Sequence, residues 1–165
     1  MVFALGIMSI IETSGDGYNP TLCEDVTAWF MNQFLPDNEV CVEIEHVKLD
    51  HHLTFGYCSV MDNYRNPSHF LIELKPFMDQ EKYIKTLFHE LTHMRQWIEG
   101  RLWWDGRKSY FCQESMEDYD YWDQPHEIEA RREEERLYDL YLSDKEGVPV
   151  GGPSHNWSNR LTRAL

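Results

Sequence analysis

The sequence predicts an α+β fold in which a small antiparallel sheet packs on an N-terminal helix, a longer second helix and a third helix that follows it. Three observations carry this expectation. Apolar residues recur at helical spacing in separate stretches near residues 21–35, 81–100 and 126–142. Between the first two lie three short β-prone runs, residues 40–49, 56–61 and 69–75, of which the first and third alternate apolar and polar residues. The connections between those runs are short, and consecutive strands joined by short loops pair antiparallel by default. A chain of 165 residues is long enough to bury a real core, so residues 1–165 are read as one domain ending in an irregular arm from about residue 143.

Taken in order, residues 1–11 are apolar, lack a basic leader and are too short to cross a bilayer, which suggests a buried strand or a docked arm. Residues 14–20 have the Gly, Asp, Asn and Pro content of a loop. Thr21 can cap a helix to about Leu35, with Leu22, Val26, Trp29, Phe30 and Phe34 on its packing stripe, and Pro36 ends it. Val40, Val42 and Ile44 share one strand face, and Phe70, Ile72 and Leu74 another. The run at 69–75 leads straight into the second helix, so it is expected to border whatever that helix carries, and an exposed edge there could pair with an extended peptide. Residues 101–107 read as a loop holding Trp103 and Trp104, and residues 113–124 as an acidic, aromatic connection. Pro125 falls in the first turn of the third helix, with Asp123 as its expected cap. That helix shows Glu127, Arg131 and Glu135 at successive four-residue spacings, and Leu137, Leu140 and Tyr141 as its packing face.

Composition narrows the classes. The formal net charge is −14, which disfavours a phosphate backbone as partner, so no nucleic acid is expected. No Lys or Arg precedes Lys48, and none lies between Lys108 and Arg131; such runs read first as solvated faces. Cys23, Cys41, Cys58 and Cys112 form no close pair and are expected to be reduced. No membrane segment is evident, and a cytoplasmic location in the producing or infected cell is the expectation.

The chemistry concentrates at His89-Glu90-Leu91-Thr92-His93. On a helix, His89 and His93 project from one face and can grip a single ion, while Glu90, rotated by about 100° from His89, stands beside it. A carboxylate so placed suits a base acting on water polarised by zinc. Ile84, Leu87, Leu91, Met94 and Ile98 form the opposing apolar stripe, and Gly100 is a natural stop. A hydrolytic zinc site wants a third protein ligand. Gln96 and Glu99 do not supply it: Glu99 lies on the wrong side of the helix. The third helix is the better source. Glu127 and Ala130 share a face, and the small alanine permits close approach of the two helices. Glu127 ranks first, followed by Glu129 and His126.

His89-Glu-Leu-Thr-His93 with Glu127-Ile-Glu-Ala130 resembles the gluzincin zinc metallopeptidases, in which the third ligand is the Glu of a Glu-x-x-Ala pattern on a following helix. The segment Pro125-His-Glu-Ile-Glu-Ala130 is similar to that of compact, single-domain metallopeptidases of bacteriophages, and the resemblance covers roughly residues 40 to 142. It implies a minimal zincin-like fold, with His89, His93 and Glu127 as zinc ligands and Glu90 as the base. The chain departs from the family at Arg131, where many gluzincins carry an acid that supports a zinc histidine.

The function expected is therefore zinc-dependent hydrolysis of a peptide or protein substrate, with Tyr119, Tyr121 and His126 as candidate donors to the oxyanion. Two alternatives differ in class. One is a zinc-stabilised, catalytically weak acidic protein that binds a host or viral protein. The other is a DNA-associated metalloprotease resembling the SprT-like group, although its usual third histidine and basic appendage are missing here.

Overall fold

The computed structural model describes residues 9–50 and 54–147. Its order is β1 (Ile10–Gly15), α1 (Pro20–Phe34), β2 (Cys41–His46), β3 (Gly56–Val60), β4 (His69–Leu74), α2 (Gln80–Ile98), β5 (Leu102–Trp104), β6 (Ser109–Phe111), β7 (Glu114–Ser115), a 3₁₀ turn (Tyr121–Asp123) and α3 (Pro125–Lys145). The fold is mixed α+β, as the periodicities predict.

The sheet is not antiparallel. Its strand order is β1-β2-β4-β3; β1 pairs parallel with β2, β2 parallel with β4, and only β3 runs antiparallel, along β4. Two things defeat the local rule. Residues 10–15 form a strand, which makes α1 a crossover between parallel neighbours. Then β3 turns back on β4 rather than on β2, leaving β2 and β4 to meet in parallel. The strand bordering α2 on the open side is consequently the edge strand β3, while β4, expected there, lies inside the sheet.

One face of the sheet is buried by the helices. Val42 and Ile44 of β2 and Phe70, Ile72 and Leu74 of β4 are fully buried with Val26 and Phe30 of α1, Leu87, Phe88 and Leu91 of α2, and Leu137 of α3. This one-sided alternation leaves Cys41, Glu43, Glu45, His69, Leu71 and Glu73 half-exposed on the other face.

Helix ends follow local chemistry. Asn19, not Thr21, caps α1: its side chain accepts from Leu22 N, and Pro20 takes the first helical position. Asp79 caps α2 by accepting from Lys82 N. Gly100 follows the end of α2 with φ +67°, a conformation glycine adopts without strain. Gln124 rather than Asp123 begins α3, with no side-chain cap; Asp123 belongs to the 3₁₀ turn.

Residues 102–115, which overlap the loop expected at 101–107 and the acidic connection expected at 113–124, contain a second, three-stranded antiparallel sheet, β5-β6-β7, with Leu102, Phe111 and Met116 as a small core. Asp105 makes its tight connection by accepting from Arg107 N and Lys108 N. Leu137 and Tyr141 are buried in α3, whereas Leu140 is only half-buried. Glu135 pairs with Lys85 of α2 instead of Arg131. The proposed arms at both ends fall mostly on residues 1–8 and 148–165, outside the described residues. No described helix is long and apolar enough to cross a membrane.

Candidate metal centre and active site

The helical face of α2 that carries His89 and His93 turns toward α3, whose Glu127 and Ala130 face back. Ala130 is fully buried, and the two helices pack along one another there. His89 Nε2 and His93 Nε2 are 3.2 Å apart. Glu127 completes the group, Oε2 at 3.3 Å from His89 Nε2 and Oε1 at 3.4 Å from His93 Nε2. Zinc bonds to nitrogen and oxygen of about 2.0–2.1 Å give a tetrahedron with edges of about 3.3 Å. The three donors thus already stand at the separations that three corners of such a tetrahedron require, and two imidazoles with one carboxylate are a donor set suited to zinc.

Each imidazole is held from behind, by Gln96, which the sequence reading weighed only as a ligand, and by Glu134, which it did not single out. Gln96, fully buried, donates from Nε2 to the His126 carbonyl at 3.1 Å, which turns its Oε1 toward His93 Nδ1 at 2.9 Å. An amide oxygen accepts only, so His93 carries its proton on Nδ1 and presents a bare Nε2 lone pair to the centre. Glu134 Oε2 does the same for His89 Nδ1 at 2.8 Å. Glu134 thus sets a carboxylate behind His89 from a position three residues beyond Arg131 on α3. Gln96 is three residues beyond His93, and Glu134 seven beyond Glu127, so helical arithmetic alone could have found both. Replacing Glu134 by Ala should lower zinc affinity by about 10–100-fold, read by competition with a chelating dye; unchanged affinity would exclude the supporting role.

Electrostatics favour the charged forms of both His89 and Glu127. Burial disfavours the His89 cation, but the Glu127 and Glu134 carboxylates outweigh it and lift its pKa to about 10. Burial likewise opposes the Glu127 charge, and hydrogen bonds from both imidazoles overcome it and hold that carboxyl well below the usual range. Metal-free His89 therefore holds a proton at neutral pH that an ion must displace. Zinc uptake should release it, so affinity should climb with pH until about 10. Calorimetric titrations in buffers of differing ionisation enthalpy count the protons released, and a count of zero at neutral pH would contradict this.

Glu90 sits beside the centre and is 5% exposed. Burial, only partly offset by His93 and His89, pushes its carboxyl above the ordinary value. Gly56 of β3 lies directly against it: a Cβ there would meet Glu90 Oε1 at 2.7 Å and Cγ at 2.8 Å. Only glycine gives the backbone of β3 that approach.

A cleft of about 790 Å³ opens over His89, Glu90 and Glu127, and Gly56 and Tyr57 of β3 line it together with Tyr121, Trp122 and Arg131. Arg131, which donates from Nη2 to the Trp122 carbonyl, ties the 3₁₀ turn to α3. Of the three candidate oxyanion donors, Tyr121 lines the cleft and His126 a smaller recess beside His93. Tyr119 does not reach it; its hydroxyl donates to Glu114 at 2.7 Å. Burial and the neighbouring His93 push the His126 pKa down to about 4, and its buried Nδ1 has no partner among the described residues. His126 Nε2 is 3.8 Å from Glu127 Oε1 and lies outside the ligand group, and Glu129 points away to Arg101 at 2.7 Å. Comparison of the chain with family models, curated proteins and solved structures gives no match.

Proposed function

We propose that this chain is a zinc-dependent peptidase with a minimal zincin-like architecture, His89, His93 and Glu127 holding the ion and Glu90 acting as general base. The observation that carries the reading is the triad of donor atoms 3.2–3.4 Å apart, with His89 and Glu127 lining an open cleft, His93 lining the recess beside it, and a buried carboxylate at its side. Bound there, zinc would supply Lewis-acid activation of water and of the scissile carbonyl.

The residues of the chain do the rest. Glu90 accepts the proton of the attacking water and passes it to the leaving amine, a task suited to a carboxyl whose proton affinity burial has raised. Tyr121, lining the cleft, and neutral His126, lining the recess, are two donors for the developing oxyanion. The outer edge of β3 pairs with no other described strand, so its main-chain groups offer a ladder to an extended substrate, and the exposed rings of Tyr121 and Trp122 offer apolar contact opposite. Stripping the protein with a chelator should abolish cleavage of an unstructured protein such as casein, and zinc should restore it. Cleavage indifferent to chelation would overturn the reading.

A further inference from the structure

The face of the four-stranded sheet turned away from the helices carries a second group of metal-type donors. Cys41 and Glu43 are two apart on β2 and project from the same side, and His69 of β4 is the direct parallel partner of Cys41. One ligand atom from each lies within 4.8 Å of the other two. His69 Nε2 and Glu43 Oε1 are 2.6 Å apart, which already sets the imidazole and carboxylate against one another. Their side chains are 37% and 38% exposed, so an ion reaches them from solvent with the fold intact. The surrounding charge favours a cation as well. Register places Glu12 beside Glu43, and Glu45 beside Glu73, and β1, β2 and β4 contain no Lys or Arg.

We propose that Cys41, Glu43 and His69 form a second divalent-metal site, distinct from the His89–His93–Glu127 centre and selective for a borderline transition-metal ion such as zinc. The donor chemistry decides the class. Calcium and magnesium prefer all-oxygen shells, whereas a thiolate with an imidazole and one carboxylate selects zinc and its neighbours. Binding exchanges the Cys41 thiol proton, which leaves to solvent, for the ion, and replaces the Glu43–His69 hydrogen bond by two metal–ligand bonds, the imidazole proton passing through solvent from Nε2 to Nδ1. Three donors from the chain leave a further position for solvent.

The test uses the full chain, stripped of metal and titrated with cobalt(II). A near-ultraviolet thiolate-to-cobalt charge-transfer band arises only where a cysteine is a ligand, and the His89–His93–Glu127 group has none. The band should appear with the parent protein, persist in His93→Ala, and be lost in Cys41→Ser. It should shift to higher cobalt concentration in His69→Ala. Cys58→Ser should leave it intact, which matters because Cys58 lines the recess beside His93. Zinc content should drop by one ion per chain in Cys41→Ser with casein cleavage unchanged. Absence of the band, a band that follows Cys58 instead of Cys41, or one indifferent to His69→Ala would each overturn the proposal, whatever the outcome at the other centre.

Discussion

Glu90→Gln should keep its zinc and lose its cleavage, the rate falling by about 10²–10⁴-fold. The substitution preserves shape and removes only the capacity to accept a proton. Its metal content should match the parent because the donors at His89, His93 and Glu127 are untouched. Its stability should also hold, since a neutral amide replaces a carboxylate whose charge is penalised by burial. Zinc content, casein turnover and thermal unfolding measured together distinguish the readings. Metal retained with turnover undiminished would remove Glu90 from its role. A chain that captures a protein partner equally well with Glu90 or Gln, and cleaves nothing in either form, would instead be the zinc-stabilised binding protein.

How much of this could be read beforehand depended on how local the cause was. α2 was legible because its stripe, its stop at Gly100 and its two histidines all lie within twenty residues and repeat at one period. α1 was legible to within two residues, and the error at its start is instructive: Pro20 at the first helical position points to Asn19 as the cap, a signal that Thr21 obscured. β1 was read only at its start, where the strand or arm expected over residues 1–11 reaches Ile10 and Ile11; Glu12, Thr13 and Ser14 give an edge strand little apolar alternation, and Ser14 and Gly15 read as loop. The second sheet escaped because its strands are two or three residues long, though Asp105-Gly106 marked its turn. Strand order was out of reach, for the parallel meeting of β2 with β4 is decided by where β3 docks and not by any loop length. Within the site, the placement of His89, His93 and Glu127 on facing helices followed from spacing, whereas the role of Gly56 depends on a contact between residues 34 apart in sequence, Gly56 and Glu90, that no periodicity announces.

That contact makes the sharpest demand on the geometry. Gly56→Ala adds one methyl group, and the Cβ would stand 2.7 Å from Glu90 Oε1, 2.8 Å from Cγ and 3.0 Å from Cδ. The carboxylate cannot swing aside freely, because it is buried between β3 and α2. Relieving the overlap means moving Glu90, or the edge strand, by several tenths of an ångström to about 1 Å, and misplacement on that scale costs a catalytic group about 10²-fold in rate. The loss should fall on kcat, because the metal donors on α2 and α3 are not displaced and zinc content should stay at the parent level. The variant thus separates two origins of failure that Glu90→Gln cannot: it leaves the base chemically intact and shifts only its position. Full activity in Gly56→Ala would mean that Glu90 has room to move without consequence, and a base held that loosely would not be the group that takes the proton.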